Sequence, residues 1–511
     1  MHRQDHHAPA PTRRTPSLRR RTLLTGTLTA LAVGAVASAC GEPVWEPDVA
    51  FDTPLPVPPL AGSRVEDGVR VFSLHAREGT HRFRPGMRTP TWGYDGDYLG
   101  PTLRARVGER VRVHVHNGLA EETSVHWHGM HLPAAMDGGP HQPIAPGGDW
   151  SPEWEVRQAP ATLWYHPHPH GRTEEHVARG LAGMFILDPP AHEPVEGLPG
   201  EYGVDDLPLV IQDKKLDTGG QLVLDDEGNE IGLLGNLFLV NGVAGGIHQV
   251  TTDSVRLRLL NGSTARTYQV GLADRRDMAL VASDGGLLES PVDVQTVRLS
   301  PGERAEVVVR FRPGERVRLR SFAPHLGDVV VPRVFGGEDE VDLVEFRAAA
   351  RLARSPALPA TLTTVERPSA ASAARRREFV LEDRDINGRG MDMDRIDATV
   401  TLGDTEIWSV RSRNPFPHNF HVHDVQFQVL AVDGRPPPPE LAGRKDTVYL
   451  EPHVTYDLVM RFEDYADPRH PYMFHCHLLL HEDDGMMGQF VVVEPGRAGE
   501  VGVPAPADHQ H

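Results

Sequence analysis

The stretch FHCHLLLHEDDGMM, Phe474 to Met487, places a cysteine between two histidines and follows them with His481 and Met486. Core packing does not ask for that concentration of metal-binding atoms. The chain holds two cysteines, and the other, Cys40, lies near the N-terminus. Cys476 is therefore the lone thiol in the body of the protein and has no partner there for a disulfide. If residues 474–477 are extended, successive side chains alternate, so His475 and His477 face one way and Cys476 the other. The tripeptide then touches two metal sites at once, joined by a few covalent bonds, which suits electron transfer between them.

Remote segments supply partners of the same kind: HWH (His126, His128), YHPH (His166, His168) and PHNFHVH (His418, His421, His423). Each carries an H-x-H step, which in a strand aims two imidazoles into one space. One thiolate with two histidines and a thioether is the ligand composition of a blue-copper site. Cys476, His481 and Met486 share one loop, and His418 is the candidate third in-plane ligand. The other histidines are too many for one ion and fit a multi-metal cluster. A zinc site on Cys476, His477 and His481 lacks the second cysteine of the usual knuckle. Iron–sulfur ligation lacks thiolates. His75, His81, His248 and His453 read as strand or surface residues, His114 and His116 as one face of a strand, His170 as structural, and Trp127 as core.

The wider chain reads as strands and turns. Its 511 residues include 50 Gly and 45 Pro, and 24% are charged, which favours β architecture over a helical bundle and allows two to four domains. Period-two runs fill three blocks. GERVRVHVHN lies in 65–190, SVRLRLLNGS and GERAEVVVRF in 200–345, and VTLGDTEIWSV, HDVQFQVLAV and VTYDLVMRF in 376–496. The recurrence of Gly-Glu-Arg at Gly108, Gly302 and Gly314 hints at related β-sandwich modules. A Pro-rich leader covers 40–64, a linker with a short helix is expected over 346–375, and a disordered tail over 497–511.

Residues 1–39 read as an export signal, basic over 13–22 and apolar from Leu23 to Ala37. Arg20-Arg21-Thr22-Leu23-Leu24 resembles a twin-arginine signal. Ala37-Ser38-Ala39-Cys40 resembles a lipobox with alanine where leucine is usual, so the expectation is a lipid anchor at Cys40 or cleavage after Ala39. Either product is a cell-envelope or secreted protein. Without residues 1–39 the chain keeps 46 basic and 70 acidic residues, a formal charge of about −24. Such a surface repels nucleic acid and anionic lipid.

The four clusters, in this order and with this Cys-to-Met spacing, resemble the four copper motifs of the multicopper oxidases, closest to the three-domain bacterial laccases, bilirubin-oxidase-like enzymes and cuprous oxidases. The resemblance spans nearly the whole mature chain, including SDGGLL at Ser283–Leu288. It implies an all-β fold of three cupredoxin-like Greek-key β-sandwich domains, a monomer, and four coppers per chain. The type 1 copper would be held by His418, Cys476, His481 and Met486, and the type 2 copper by His126 and His421. The type 3 pair would be held by His128, His166, His168, His423, His475 and His477. Asp137, in MDGGP, and Glu482 match acids that the family places beside the cluster for proton supply. The implied reaction couples one-electron oxidation of a small reductant to the four-electron reduction of dioxygen to water. Cuprous-oxidizing relatives carry an Asp and a Met where this chain has Asn414 and Phe416, and a Met/His-rich insertion that it lacks. The expected reductant is thus a phenol or aromatic amine. Cuprous ion in copper tolerance is the alternative, with Met391, Asp392, Met393 and Asp394 as candidates to bind it. A copper-free envelope interaction protein of the same fold is the alternative of another class.

Overall fold

The structure, a computed structural model, describes residues 49–191, 193, 195–225 and 228–497. The export signal, Cys40 and nearly all of the tail lie outside the described residues. Six sheets form two to a block. In the first block, Val69–His81 runs parallel to Arg110–Asn117, opposite a three-stranded sheet of Leu103–Arg106, Gly183–Asp188 and Thr162–Tyr165. Phe72, Leu74, Val111, Val113 and Val115 from one sheet and Leu103, Leu163 and Phe185 from the other are all buried in one core. Trp127 joins it against Trp150, Trp154 and Phe185. The alternation that betrayed GERVRVHVHN turns its valines inward and leaves His114 and His116 together on the outer face.

The second block pairs two six-stranded sheets, one centred on Ser254–Asn261 and Arg304–Arg310, the other on Val341–Ala353 and Arg316–Phe322. The third pairs a six-stranded sheet around Thr405–Ser412 and Thr455–Arg461 with a five-stranded sheet. That five-stranded sheet contains His418–Val422, Asp467–His475 and Met487–Val493, so the third and fourth histidine clusters leave neighbouring strands of one sheet. Trp408, Phe420, Phe474 and Phe490 pack its interior.

The three Gly-Glu-Arg turns share one local mechanism. Each glycine takes a positive φ of 74–87°, which costs a residue without Cβ little. Each glutamate then accepts the N–H three residues back: Glu109 from Arg106 at 2.9 Å, Glu303 from Ser300 at 2.7 Å and Glu315 from Arg312 at 2.9 Å. The turn is closed before the strand begins.

One segment differs from the sequence reading. The Ala-rich run expected as linker continues the strand Val341–Ala353, paired in parallel with Gly246–Thr252, because ladder pairing on that sheet outweighs the helical preference of alanine. Its helical content is one 3₁₀ turn, Ala370–Ser372. The described part of the Pro-rich leader is paired into sheets. Thr53–Pro54 pairs with Gly246 and Ile247, and Arg64–Glu66 with Val69–Val71.

Two α-helices occur among the described residues, α1 (Thr173–Arg179) and α2 (Leu479–Asp483). No side chain of α1's own N-terminal residues caps it. Asp483, from the third block, accepts the N–H groups of Thr173 at 2.7 Å and Glu174 at 2.8 Å. Removing that cap (Asp483→Ala) should cost about 1–2 kcal/mol. Chemical denaturation should show this as a lower midpoint, and an unchanged midpoint would mean that the contact between α1 and α2 does not depend on it.

Candidate metal centre

Eight imidazoles from the four clusters converge in one buried chamber, and each of them is no more than 1% exposed. His126 and His166 face each other across paired backbones, with His126 N donating to His166 O at 2.8 Å. His421 lies opposite His475 in the third block's sheet. Close groups of donor atoms, within 4.8 Å, are His126–His128–His166, His126–His421–His423 and His168–His423–His475. His477 stacks edge-on to His128 and His166, with ring centroids 4.9 and 5.2 Å away.

The backbone decides which nitrogen of each ring faces inward. His126 Nδ1 donates to Asp137 O at 3.0 Å, His421 Nδ1 to Asp446 O at 2.8 Å, His166 Nδ1 to Pro167 O at 2.8 Å and His475 Nδ1 to Cys476 O at 3.1 Å. With the proton on Nδ1, each Nε2 lone pair points into the chamber. His128 is reversed, its Nε2 on Asp446 Oδ1 at 3.0 Å and its Nδ1 inward. The Nε2 atoms of His126 and His421 and both ring nitrogens of His477 have no hydrogen-bond partner. His475 Nε2 lies 3.3 Å from His168 Nε2 and 3.2 Å from His423 Nε2. Three ring nitrogens this close need a proton or a metal cation between them.

Burial also keeps seven of these rings neutral, which is the form that ligates. It pushes His128, His166, His168, His421, His475 and His477 well below the ordinary imidazole range, and His423 down to about 4.

On the other side of the tripeptide, Cys476 Sγ lies 3.5 Å from His418 Nδ1 and 3.4 Å from His481 Nδ1, and those nitrogens are 3.1 Å apart. The outer nitrogens are engaged: His418 Nε2 donates to Asn414 Oδ1 at 3.0 Å and His481 Nε2 to Glu230 O at 2.7 Å. Both Nδ1 lone pairs therefore meet at the sulfur. Met486 is buried in the same cluster as Cys476, and its carbonyl accepts Cys476 N at 3.1 Å. Burial pushes the Cys476 thiol up to about 12, so a thiolate there needs a bound cation. Asn419 anchors the turn by accepting His477 N and bonding Pro301 O at 2.9 Å.

The two acids flank the chamber from opposite sides. Asp137 Oδ2 accepts from His423 Nδ1 at 2.6 Å. Burial would raise this carboxyl, but His423 and His126 outweigh it and hold it well below the usual range. Glu482 is buried, its oxygens 3.3 Å from His168 Nδ1 and 3.2 Å from His475 Nδ1 without hydrogen-bond alignment to either. Burial, reinforced by Asp483, pushes it well above the carboxylate range.

The histidines and the cysteine singled out from the sequence as copper ligands thus converge on two adjoining clusters, with Met486 packed in the same apolar core as Cys476. His170 lies apart: it is exposed and lines a cavity of about 500 Å³ with Glu122 and Met393. Sequence reasoning missed the support from the second block. Arg304, Asp284 and Gly302 back the histidines there, and so does Asp446 of the third block. The turns GER and SDGG were the available signal.

A cysteine–histidine cluster is thus bonded through one tripeptide to an eight-imidazole chamber in a body of β-sandwiches, and both offer donor atoms grouped closely enough to hold metal ions. Models described as multicopper oxidase match residues 75–192, 206–318 and 355–496. The multicopper oxidase mco of Staphylococcus haemolyticus is 34% identical over 442 residues, covering 85% of this chain and 91% of that protein. The cell division protein FtsP of Escherichia coli is 36% identical over 490 residues, covering 93% and 99%. Among solved structures, CueO, a bacterial laccase-like multi-copper oxidase from Ochrobactrum sp., matches with a TM-score of 0.79 and 36% identity over 86% of this chain and 100% of that one. The chain belongs to the multicopper oxidase family. Its fold is all-β and cupredoxin-like, and membership implies copper and oxidoreductase chemistry.

Proposed function

We propose that this chain is a laccase-like oxidase that takes electrons one at a time from phenols or aromatic amines and passes them to dioxygen. The observation that carries this reading is the tripeptide His475-Cys476-His477, whose sulfur meets His418 and His481 while its flanking rings enter the chamber. In this reading His418, Cys476, His481 and Met486 hold the type 1 copper and His126 and His421 the type 2. His128, His166, His168, His423, His475 and His477 hold the type 3 pair. Bound copper supplies one-electron acceptance at the first site and the reduction of dioxygen at the second.

The chain's own groups do the rest. Asn414 and the Glu230 carbonyl fix the two rings that flank the sulfur. Asp137 holds His423 from one side of the chamber as an ionised acceptor that can only relay a proton it first takes up, while Glu482, lying against His168 and His475 on the other, keeps a proton that it can donate. On the outer side of the type 1 site, the half-buried Phe416 ring lies 5.1 Å from that of His418. Val330, 53% exposed, donates its N–H to Pro415 O at 3.0 Å. This apolar edge suits a flat aromatic reductant. The Asn414 side-chain oxygen is already taken by His418, and Phe416 offers no donor to a cuprous ion. The export signal makes the site of action the cell envelope or the medium.

The deciding experiment compares steady-state rates for a phenol and for cuprous ion, with dioxygen consumption recorded for each. Preference for cuprous ion by orders of magnitude would replace this reading with a cuprous oxidase of copper tolerance. The likeness to a cell division protein keeps a second reading, a copper-free envelope interaction protein, and metal analysis of reconstituted chain separates the two. The unsatisfied inward nitrogens favour copper.

The thioether of Met486 should hold the type 1 potential down. Met486→Leu is expected to raise it in a redox titration of the blue band, and an unchanged or lower value would remove Met486 from the ligand set.

A further inference from the structure

Arg304, on the second block's strand Arg304–Arg310, is fully buried where the three blocks meet the histidines. Every N–H of its guanidinium is used. Nε donates to Thr162 O of the first block at 3.0 Å, and Nη1 and Nη2 donate to Gly302 O at 3.0 Å and Asp284 O at 3.1 Å in its own block. The same two nitrogens hold Asp446 of the third block as a fork, Nη1 to Oδ1 at 2.7 Å and Nη2 to Oδ2 at 2.6 Å.

Asp446 is the group that needs holding. Its Oδ1 accepts from His128 Nε2 at 3.0 Å, and its carbonyl from His421 Nδ1 at 2.8 Å. His128 Nε2 and His421 Nδ1, the outer nitrogens of the two rings, lie 3.0 and 3.7 Å from Asp446 Oδ1, close enough for the three groups to hold an ion by themselves. An ion taken there would leave each ring's proton on its inward nitrogen and so remove that ring from the chamber. A carboxylate is a hard ligand that favours ions other than copper. Gly129 keeps room for the pairing: it has φ +86°, and a Cβ there would lie 2.6 Å from Asp446 Oδ2 and 2.7 Å from Arg304 Nη2.

We propose that Arg304 is a positioning residue of the chamber: by occupying both oxygens of Asp446 it keeps that carboxylate from ligating, and so reserves His128 and His421 for metal held by imidazole alone. This rests on the copper reading above. It also assigns the second block, which contributes none of the chamber's histidines, a part in metal selection.

The test uses the full mature chain reconstituted with copper. Arg304→Met should retain chamber copper about 10–100-fold less tightly against a chelator. The electron paramagnetic resonance of the remaining non-blue copper should show fewer coupled nitrogens, and the blue band should persist, because His418, Cys476 and His481 do not touch Arg304. Adding Asp446→Asn to Arg304→Met removes the competing carboxylate but leaves an oxygen for His128 and the carbonyl for His421, and should restore retention. A role confined to supporting the fold predicts no such rescue. If Arg304→Met does not fold, Arg304→Lys keeps the charge without the fork and is read in the same way. Chamber copper unchanged in the single variant, or a double variant no better than the single, overturns the proposal. A wild-type chain that takes up no copper sinks the copper reading itself, and this inference with it.

Discussion

Cys476→Ser should leave the copper-loaded protein colourless and lower the turnover of any reductant by on the order of 10³-fold or more, about 4 kcal/mol of activation free energy. The sulfur is the atom that both Nδ1 lone pairs meet, at 3.5 and 3.4 Å, and it is the covalent start of the path to His475 and His477. A serine hydroxyl in the same buried place does not ionise, so it offers neither the charge that a cupric ion wants nor the thiolate absorption that makes such sites blue. The sign with respect to protons is also fixed. Because burial pushes the thiol up to about 12, wild-type protein must release a proton when copper binds at neutral pH, and the serine variant must not. Titration of apoprotein with copper in weak buffer would detect the difference. The chamber is built from other residues and should still fill. A blue serine variant, or one that oxidises a phenol at the wild-type rate, would remove Cys476 from the metal site.

Asp137→Ala should reduce dioxygen consumption by about 10²-fold and leave the blue band in place. Its carboxylate holds His423 Nδ1 at 2.6 Å and its backbone holds His126 Nδ1 at 3.0 Å, so the substitution removes the first contact and spares the second. The residue touches none of His418, Cys476 and His481. Reduction of the blue band by substrate under anaerobic conditions should therefore run at the wild-type rate, while its reoxidation by dioxygen slows. Equal slowing of both half-reactions would show that Asp137 acts on the whole structure rather than on the chamber. Asp137→Asn, which keeps an oxygen for His423, should retain copper better than the alanine variant yet still slow reoxidation.

Glu482 shows how far local sequence misleads. With Asp483 and Asp484 after it, it reads equally well as part of a solvated acidic loop. In the fold α2 buries Glu482 against His168 and His475, and it turns Asp483 onto the first turn of α1. No pattern within the segment distinguishes the buried acid from its exposed neighbour, because the distinction depends on α1, a segment some three hundred residues away. The Ala-rich run after Val341 failed for the same reason in the other direction. Its composition favours a helix, and the strand Gly246–Thr252 pairs it into a sheet.

The sequence by itself determined the fold class and which histidines and which cysteine come together. Period-two runs announce strands wherever one face is buried, and H-x-H on such a strand places two rings in one space regardless of what lies beyond. A single thiol between two histidines needs no tertiary information to bridge two sites. Only the tertiary structure decided which ring nitrogen faces inward and what restrains Asp446. It also decided that the second block reaches the chamber through Arg304. Those are matters of hydrogen-bond partners drawn from remote strands, and the spacing of residues along a chain carries no record of which carbonyl or guanidinium will be waiting on the other side.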